Sequence, residues 1–347
     1  MKKIGYIIIA VVVIGLIVAF KPEKQAPTTQ TIAAVLPLSG PAALWGENVK
    51  NGMELALKNH PELSVVYADS EGKPAEGVSA FRSVQEKNPI ITLSILSSVT
   101  VPLSKIAAEE SIPLFATLTA ANDVANEFTI RHYSNASDFA GPAFFDETSP
   151  VQQAETIALL YRNDELGKSV AEKVAAFAVE KGKKLILQET FTPGETDFGT
   201  AMTKVKASTA DVLLFVPVAP SEATGIVKAS QEVQLNVPLV ETCNVFADME
   251  VRKQVAGTSF HSNVYPFSLP GNAMEFKKQY ADVYGKEPNF AAAYGYDAVT
   301  MIAACKDAGE DVISCLKKPE TFTGITGTAT QITPGDFNVP LQLNKVE

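Results

Sequence analysis

Histidine is scarce in this chain. His60, His132 and His261 are the only three in 347 residues, and they sit in unrelated segments without metal-ligand spacing. Each is expected on a surface or loop, so a histidine-built metal centre has no basis in the pattern. No G-x-S-x-G, P-loop, H-E-x-x-H or G-x-G-x-x-G motif occurs, and no two acidic residues stand out as a pair. The common sequence marks of serine hydrolases, nucleotide enzymes and zinc proteases are therefore missing. Basic residues are outnumbered, 29 Lys and Arg against 39 Asp and Glu, for a net charge of −10. The first thirty residues carry four Lys and one Glu, so the remainder is more acidic still. Such a body repels phosphates, which excludes nucleic acid as a partner. Tryptophan occurs once, as Trp45.

Cysteine is limited to Cys243, Cys305 and Cys315. Cys305 lies in one helical pattern and Cys315 in the next, across a short Asp-Ala-Gly turn. The two are placed to form a disulfide in an oxidising compartment, or else to be two buried thiols. Cys243 is left unpaired. It has no histidine near it in sequence, which weighs against a nucleophile.

One long apolar run is present, Ile4 to Phe20, preceded by Lys2 and Lys3. Seventeen helical residues reach about 25 Å, a marginal bilayer span. Residues 1–20 read as an uncleaved membrane anchor or a secretory signal. Val18-Ala19-Phe20 is a poor cleavage site, and no Cys follows for lipid attachment. In either case the basic flank places the body outside the cytoplasm. Residues 21–30, KPEKQAPTTQ, read as a polar linker.

Beyond the linker, strand-like and helix-like segments alternate. Ile32–Leu36, Leu63–Ala68, Ile90–Leu96 and Ile112–Ala116 are short apolar runs, separated by helical patterns at about 47–59, 75–87 and 101–110. The rhythm falters between Asn122 and Gln153, where Gly141-Pro142 and Ser149-Pro150 intervene. It resumes with strands at 156–161, 184–188, 212–217 and 237–240 and helices at 166–181, 198–207 and 221–233. Two consecutive α/β units of parallel sheet and helices follow from this order. Helical patterns at 272–284 and 291–308 precede a Gly- and Thr-rich tail. That tail is expected to complete one of the earlier sheets.

Ligands of open parallel sheets bind beyond the carboxyl ends of the strands. There the first unit places Ser39, Gly40 and Trp45, then Ser97, Ser98 and Thr100, then Thr117 and Thr119. Hydroxyls and small residues at three strand ends suit an anion at a helix N-terminus, although each alone also suits a helix cap. Trp45 would add a flat apolar wall.

With those residues placed, the chain resembles the type I periplasmic binding proteins of the branched-chain amino acid (Leu/Ile/Val) family, the substrate-binding components of ABC importers. The segments AAVLPLSGPAALWGENVKNGMELAL, LSSVTVPLSKIAAEESIPLFATLTA, ALLYRNDELGKSVAE, YADVYGKEPNFAAAYGYDAV and FTGITGTATQITPGDF carry the resemblance, in order, across nearly everything from Thr31 onward. The resemblance implies a two-lobed α/β fold, each lobe a mainly parallel sheet flanked by helices, with three crossovers at the hinge. Lobe 1 would be 31–135 plus 268–337, and lobe 2 would be 136–267 plus 338–347. By the same pattern Ser97, Thr117 and Thr119 fall where the family holds a ligand carboxylate. Trp45 falls on the pocket lining, and Phe290 and Tyr294 on its hinge-side wall. Leu166 stands where the second lobe usually carries a Tyr before Gly. Cys243 stands where an acidic partner for a ligand ammonium often lies, with Glu241 two residues away.

The function implied is an extracytoplasmic solute-binding protein. It would capture a small carboxylate-bearing solute, an amino acid or a relative, and deliver it to ABC permease subunits. It would touch the membrane through its N-terminal segment, use no cofactor and carry no catalytic residue. Two alternatives remain open on sequence: a ligand-sensing module of a signalling system, and a hydrolase dependent on Cys243.

Overall fold

The computed structural model describes residues 29–122, 124–264, 271–306 and 311–346. The apolar run over 1–20 and the linker up to residue 28 lie outside the described residues. No helix among the described residues is long and apolar enough to cross a membrane. The first strand takes in the end of the expected linker, since β1 spans Gln30–Leu36.

The chain builds two sheets. The first unit runs β1, α1 (Ala43–Leu57), β2 (Leu63–Asp69), α2 (Pro74–Gln85), β3 (Ile91–Ser94), α3 (Ser97–Glu110), β4 (Leu114–Thr117) and β5 (Thr129–His132). The second runs α4 (Ala136–Phe145), β6 (Thr156–Arg162), α5 (Glu165–Glu180), β7 (Lys184–Phe191), α6 (Gly199–Ser208), β8 (Val212–Val216), α7 (Pro220–Glu232), β9 (Leu239–Glu241), α8 (Met249–Lys253) and β10 (Phe260–Val264). The chain then returns with α9 (Gly271–Tyr284), α10 (Phe290–Lys306), α11 (Val312–Leu316) and β11 (Thr321–Gly324), β12 (Gly327–Thr333) and β13 (Asp336–Asn338), and ends on β14 (Gln342–Val346). The sheet orders are β11-β12-β13-β5-β4-β3-β1-β2 and β14-β10-β9-β8-β6-β7.

Strands β1 to β5 pair in parallel, as do β6 to β10. Helices cover both faces of such sheets, so inner strands read as unbroken apolar runs. β8, VLLFV, is buried at every position, whereas edge strand β7 alternates exposed and half-buried residues over most of its length. The tail serves both sheets: β11–β13 extend the first, and β14 pairs antiparallel with β10 in the second. The chain thus passes between lobes three times, after β5, after β10 and after β13. Residues 265–270, between β10 and α9, lie outside the described residues.

The stretch where the sequence rhythm falters holds β5 and α4. Pro142 lies inside α4 rather than ending it. A helix proline forfeits one backbone bond. Here the burial of Phe139, Ala140, Ala143 and Phe144 and the reciprocal cap between Asn135 and Asp138 hold the helix nonetheless. His132, expected on a surface or loop, is fully buried at the end of β5, and burial lowers its pKa to about 3.

The crossovers are tied at their bases. Arg131 donates from Nε and Nη2 to both carboxylate oxygens of Asp336 at 2.6 Å, and from Nη1 to the Ala121 carbonyl at 2.8 Å. Ser134 Oγ donates to the Val339 carbonyl, linking the first crossover to the third. Cys305 and Cys315 form a disulfide that joins α10 to α11, and Cys243 is free and buried.

Helices α1 and α10 cross with their backbones in contact. A Cβ on Gly52 would lie 1.9 Å from the Ala292 carbonyl oxygen, and one on Gly295 would lie 2.2 Å from that of Val49. Neither backbone can yield without moving its helix. The crossing brings Trp45 and Phe290 together, with ring centroids 5.2 Å apart. Gly52→Ala should lower stability in urea unfolding by about 1–3 kcal/mol through overpacking. An unchanged midpoint would show that the crossing has slack.

Candidate functional site

A pocket with about 490 Å³ of atom-free space, partly open to solvent, lies between the lobes beyond the carboxyl ends of both sheets. Lobe 1 contributes Trp45 from α1, Leu96, Ser97 and Ser98 at the start of α3, Leu118 and Ala120 after β4, and Phe290 from α10. Lobe 2 contributes Asp164 and Leu166 at the start of α5, Pro217 and Val218 after β8, and Cys243 to Val245 after β9. Tyr133 and Phe139 close the hinge side. The wall is mainly apolar, with aromatic rings from Trp45, Tyr133, Phe139 and Phe290.

Of the helices that start at this pocket, α3 and α5 face each other from different lobes, and their ends differ. An α-helix leaves its first N–H groups without intrahelical partners and carries partial positive charge there. Residue Leu96, before α3, gives no side-chain cap. Ser97 and Ser98, the first two residues of α3, therefore bring bare amides to the wall. By contrast α5 is capped by Asp164, whose Oδ1 accepts the Gly167 N–H at 2.9 Å. Asp164 is also a residue of the pocket wall, with its other oxygen 2.9 Å from Arg162 Nε. The pocket is thus electropositive on the lobe 1 side and carries an acid on the lobe 2 side.

The backbone is strained where α3 meets the pocket. Leu96 has φ +70° and Leu118 φ +44°, the left-handed region that leucine avoids. The Leu96 N–H donates to the Leu118 carbonyl at 3.2 Å, tying the two turns together. Such strain is typical of ligand clamps. Ser97 Oγ accepts from the Ala120 and Ala121 N–H groups at 3.2 and 3.1 Å, which fixes the loop after β4 against the start of α3.

Among the residues singled out in the sequence, Trp45, Ser97, Ser98, Leu166, Cys243 and Phe290 are brought together in the wall. Thr117, Thr119, Glu241 and Tyr294 are not among the lining residues. Thr117 Oγ1 donates to the His132 carbonyl at 3.0 Å inside lobe 1. Thr119 Oγ1 lies 2.8 Å from the Thr117 carbonyl and 3.1 Å from Thr100 Oγ1. Both threonines are fully buried, and Leu118 and Ala120 take the wall positions beside them. Tyr294, one turn after Phe290, packs behind Tyr133 at 5.1 Å and against His132 at 5.2 Å.

Glu241 lies beneath the wall rather than in it. It is fully buried, accepting from the Val245 N–H at 2.7 Å, the Phe246 N–H at 3.4 Å and Ser262 Oγ at 2.5 Å. It therefore shapes the turn that presents Cys243, Asn244 and Val245. Asn244 Nδ2 is buried and makes no hydrogen bond among the described residues, which leaves a donor at the pocket wall. The Cys243 thiol is pushed well up by burial, and by the charges of Glu241, Asp164 and Glu222. A neutral thiol is a poor nucleophile.

The acid on the wall is Asp164, which sequence reasoning missed. Burial raises its pKa, opposed by Arg162 and the Gly167 N–H. The signal was present as an Asp before a helix pattern, an ordinary N-cap that says nothing of a pocket.

Hydrogen bonds among the described residues hold the lobes closed on each other around the pocket. Trp45 Nε1 donates to the Val218 carbonyl at 2.9 Å, Asn289 Nδ2 to Asp248 Oδ2 at 2.9 Å, and the Asn122 N–H to Ser169 Oγ at 3.2 Å.

Burial pushes the Glu241 carboxyl up to about 7, against the pull of its Ser262 and backbone donors. The folded protein then holds this proton longer than the unfolded chain. The resulting stabilisation is complete below the ordinary value of 4.5 and is lost as pH rises through about 7. Relative to Glu241→Gln, the native chain should lose roughly 3 kcal/mol of unfolding free energy across that window. Parallel curves for the two proteins in urea would refute this placement of the charge.

Comparison with known proteins places this geometry in a family. Residues 29–339 match the family model described as periplasmic binding protein. The Leu/Ile/Val-binding protein BraC3 of Rhizobium johnstonii is 28% identical over 57% of this chain, and the match spans 56% of its own length. Leu/Ile/Val-binding protein homolog 1 of Brucella suis is 24% identical over 95% of this chain and 92% of its own. Among solved structures, the branched-chain amino acid transporter substrate-binding protein LivJ of Streptococcus pneumoniae, in complex with isoleucine, superposes with a TM-score of 0.79 at 19% identity. That match covers 91% of this chain and 99% of LivJ. A solute-binding protein of an ABC transporter from R. palustris, in complex with 4-hydroxybenzoate, has a TM-score of 0.81 at 18% identity, over 92% and 93% of the two chains. The two-lobed fold, the pocket between the lobes and the family match over nearly all described residues agree: this chain belongs to the periplasmic binding proteins, a family of solute-binding proteins that work outside the cytoplasm.

Proposed function

We propose that the protein captures a small carboxylate-bearing solute with an apolar body and delivers it to an ABC importer. The observation that carries this reading is the difference between the two helix starts at the pocket. The uncapped N-terminus of α3, with Ser97 and Ser98, suits a carboxylate. The opposite wall already holds the Asp164 carboxylate and repels a second anion, so the solute has one orientation. Trp45, Phe139, Tyr133 and Phe290 suit a branched or aromatic body between these ends. Structural relatives hold isoleucine and 4-hydroxybenzoate, two carboxylates with apolar bodies, which supports the same class here.

The division into lobes of 31–135 plus 268–337 and 136–267 plus 338–347 fits this reading, because each set carries one sheet. Closure of the lobes dehydrates the solute and strengthens its hydrogen bonds. The apolar run over 4–20 suits a tether or export signal that keeps the body beside its permease.

The test is a thermal-shift screen of branched-chain and aromatic carboxylates and their amides, followed by calorimetry on each hit. Carboxylates should raise the melting temperature and the matched amides should not. Ser98 lines the pocket at the start of α3. Ser98→Ala should therefore weaken binding by about 1 kcal/mol, roughly five-fold, at unchanged stability. Equal binding of acid and amide would remove the carboxylate from the proposal.

A further inference from the structure

Three ionisable side chains are buried together at and behind the lobe 2 wall: Arg162 at the end of β6, Asp164 at the start of α5 and Glu222 in α7, with exposures of 5, 7 and 0%. Arg162 Nε lies 2.9 Å from Asp164 Oδ2, an ion pair without hydrogen-bond alignment. Its Nη1 lies 3.4 and 3.5 Å from the two oxygens of Glu222. One cation therefore faces two carboxylates in a dry setting, where an unpaired charge is costly.

Glu222 is in turn the organiser of two turns. Its Oε2 accepts the Val218 and Ala219 N–H groups at 2.9 and 3.0 Å, and its Oε1 accepts the Gly194 N–H at 2.8 Å. Both turns face lobe 1. The Val218 carbonyl receives the Trp45 indole N–H, and a Cβ on Gly194 would lie 3.7 Å from Pro41 Cγ. A continuous path thus runs from Asp164 in the pocket wall, through Arg162 and Glu222, to the carbonyl on which Trp45 closes.

We propose that Arg162 is the positioning residue of cleft closure: its guanidinium holds Glu222 in place, Glu222 sets the turn at Val218, and that turn receives Trp45 from the other lobe. The same guanidinium orients Asp164, so the group that meets the solute and the group that receives the latch share one anchor. The inference deepens the proposed solute-binding role and takes its functional meaning from it. The latch itself can be read without any solute.

Trp45 is the only tryptophan, and it is 3% exposed in the closed protein. Its emission and its quenching by acrylamide therefore report closure. The test compares the full chain with Arg162→Met and Arg162→Lys, in buffer without solute. In Arg162→Met, Trp45 emission should shift to the red and quenching should rise. Amide exchange in peptides covering 217–219 should speed up about ten-fold while strands β1 to β5 exchange at the native rate. Arg162→Lys keeps the charge but loses the fork that spans two carboxylates, so it should fall between the two. A folded Arg162→Met protein with native Trp45 protection and native exchange at 217–219 overturns the proposal. If that variant does not fold, native behaviour of Arg162→Lys in both measurements overturns it equally. A solute screen without hits would leave these readings intact and count only against the carboxylate assignment.

Discussion

The structure depends on two helix N-termini, from separate sheets, meeting across one cleft. Parallel sheets place the start of each following helix at the carboxyl ends of their strands, so both lobes bring partial positive charge to the gap. Two like ends would favour an anion equally and give it no direction. Here α5 carries its own carboxylate cap, Asp164, and α3 carries none. The cleft thereby becomes polar along one axis, and its apolar rings lie between the poles.

Around that axis the polar groups fall into two kinds. Some are spent on shape. Thr117, Thr119 and Glu241 are fully buried and bond within their own lobes, holding the loops that line the pocket. Others are left at the wall, as Ser98 and the Asn244 amide nitrogen are. Burial supplies the reason for the division. A hydroxyl or carboxylate away from water must find a partner in the fold, and the backbone of an irregular loop is the nearest one. Thr117, Thr119 and Glu241 thus shape the pocket from behind its wall, whereas Ser97 both shapes and lines it.

Much of the fold was legible in the sequence because its inner strands are parallel and buried on both faces. Runs such as VLLFV and the helix patterns between them have a period that survives any tertiary context. The expected helices over 166–181 and 221–233 match α5 and α7 to within a residue at each end. What escaped were β5 and α4. β5 has four residues and no alternation to read, and α4 contains a proline that ordinarily ends a helix.

In the site, the sequence singled out the first lobe's strand ends followed by Ser, Thr and a lone Trp, since ligand positions in such sheets follow from strand direction. The second lobe's helix start at Leu166 entered only through the family resemblance. Only the tertiary structure decided which side chain of each segment faces the gap. The left-handed turns at Leu96 and Leu118 bring Ser97, Ser98, Leu118 and Ala120 to the wall and leave Thr117 and Thr119 behind it. Asp164 is held locally by Gly167 and Arg162, and becomes part of a pocket wall only because lobe 1 faces it. No local pattern encodes either outcome, because both depend on contacts between residues tens of positions apart, which a one-dimensional period does not register.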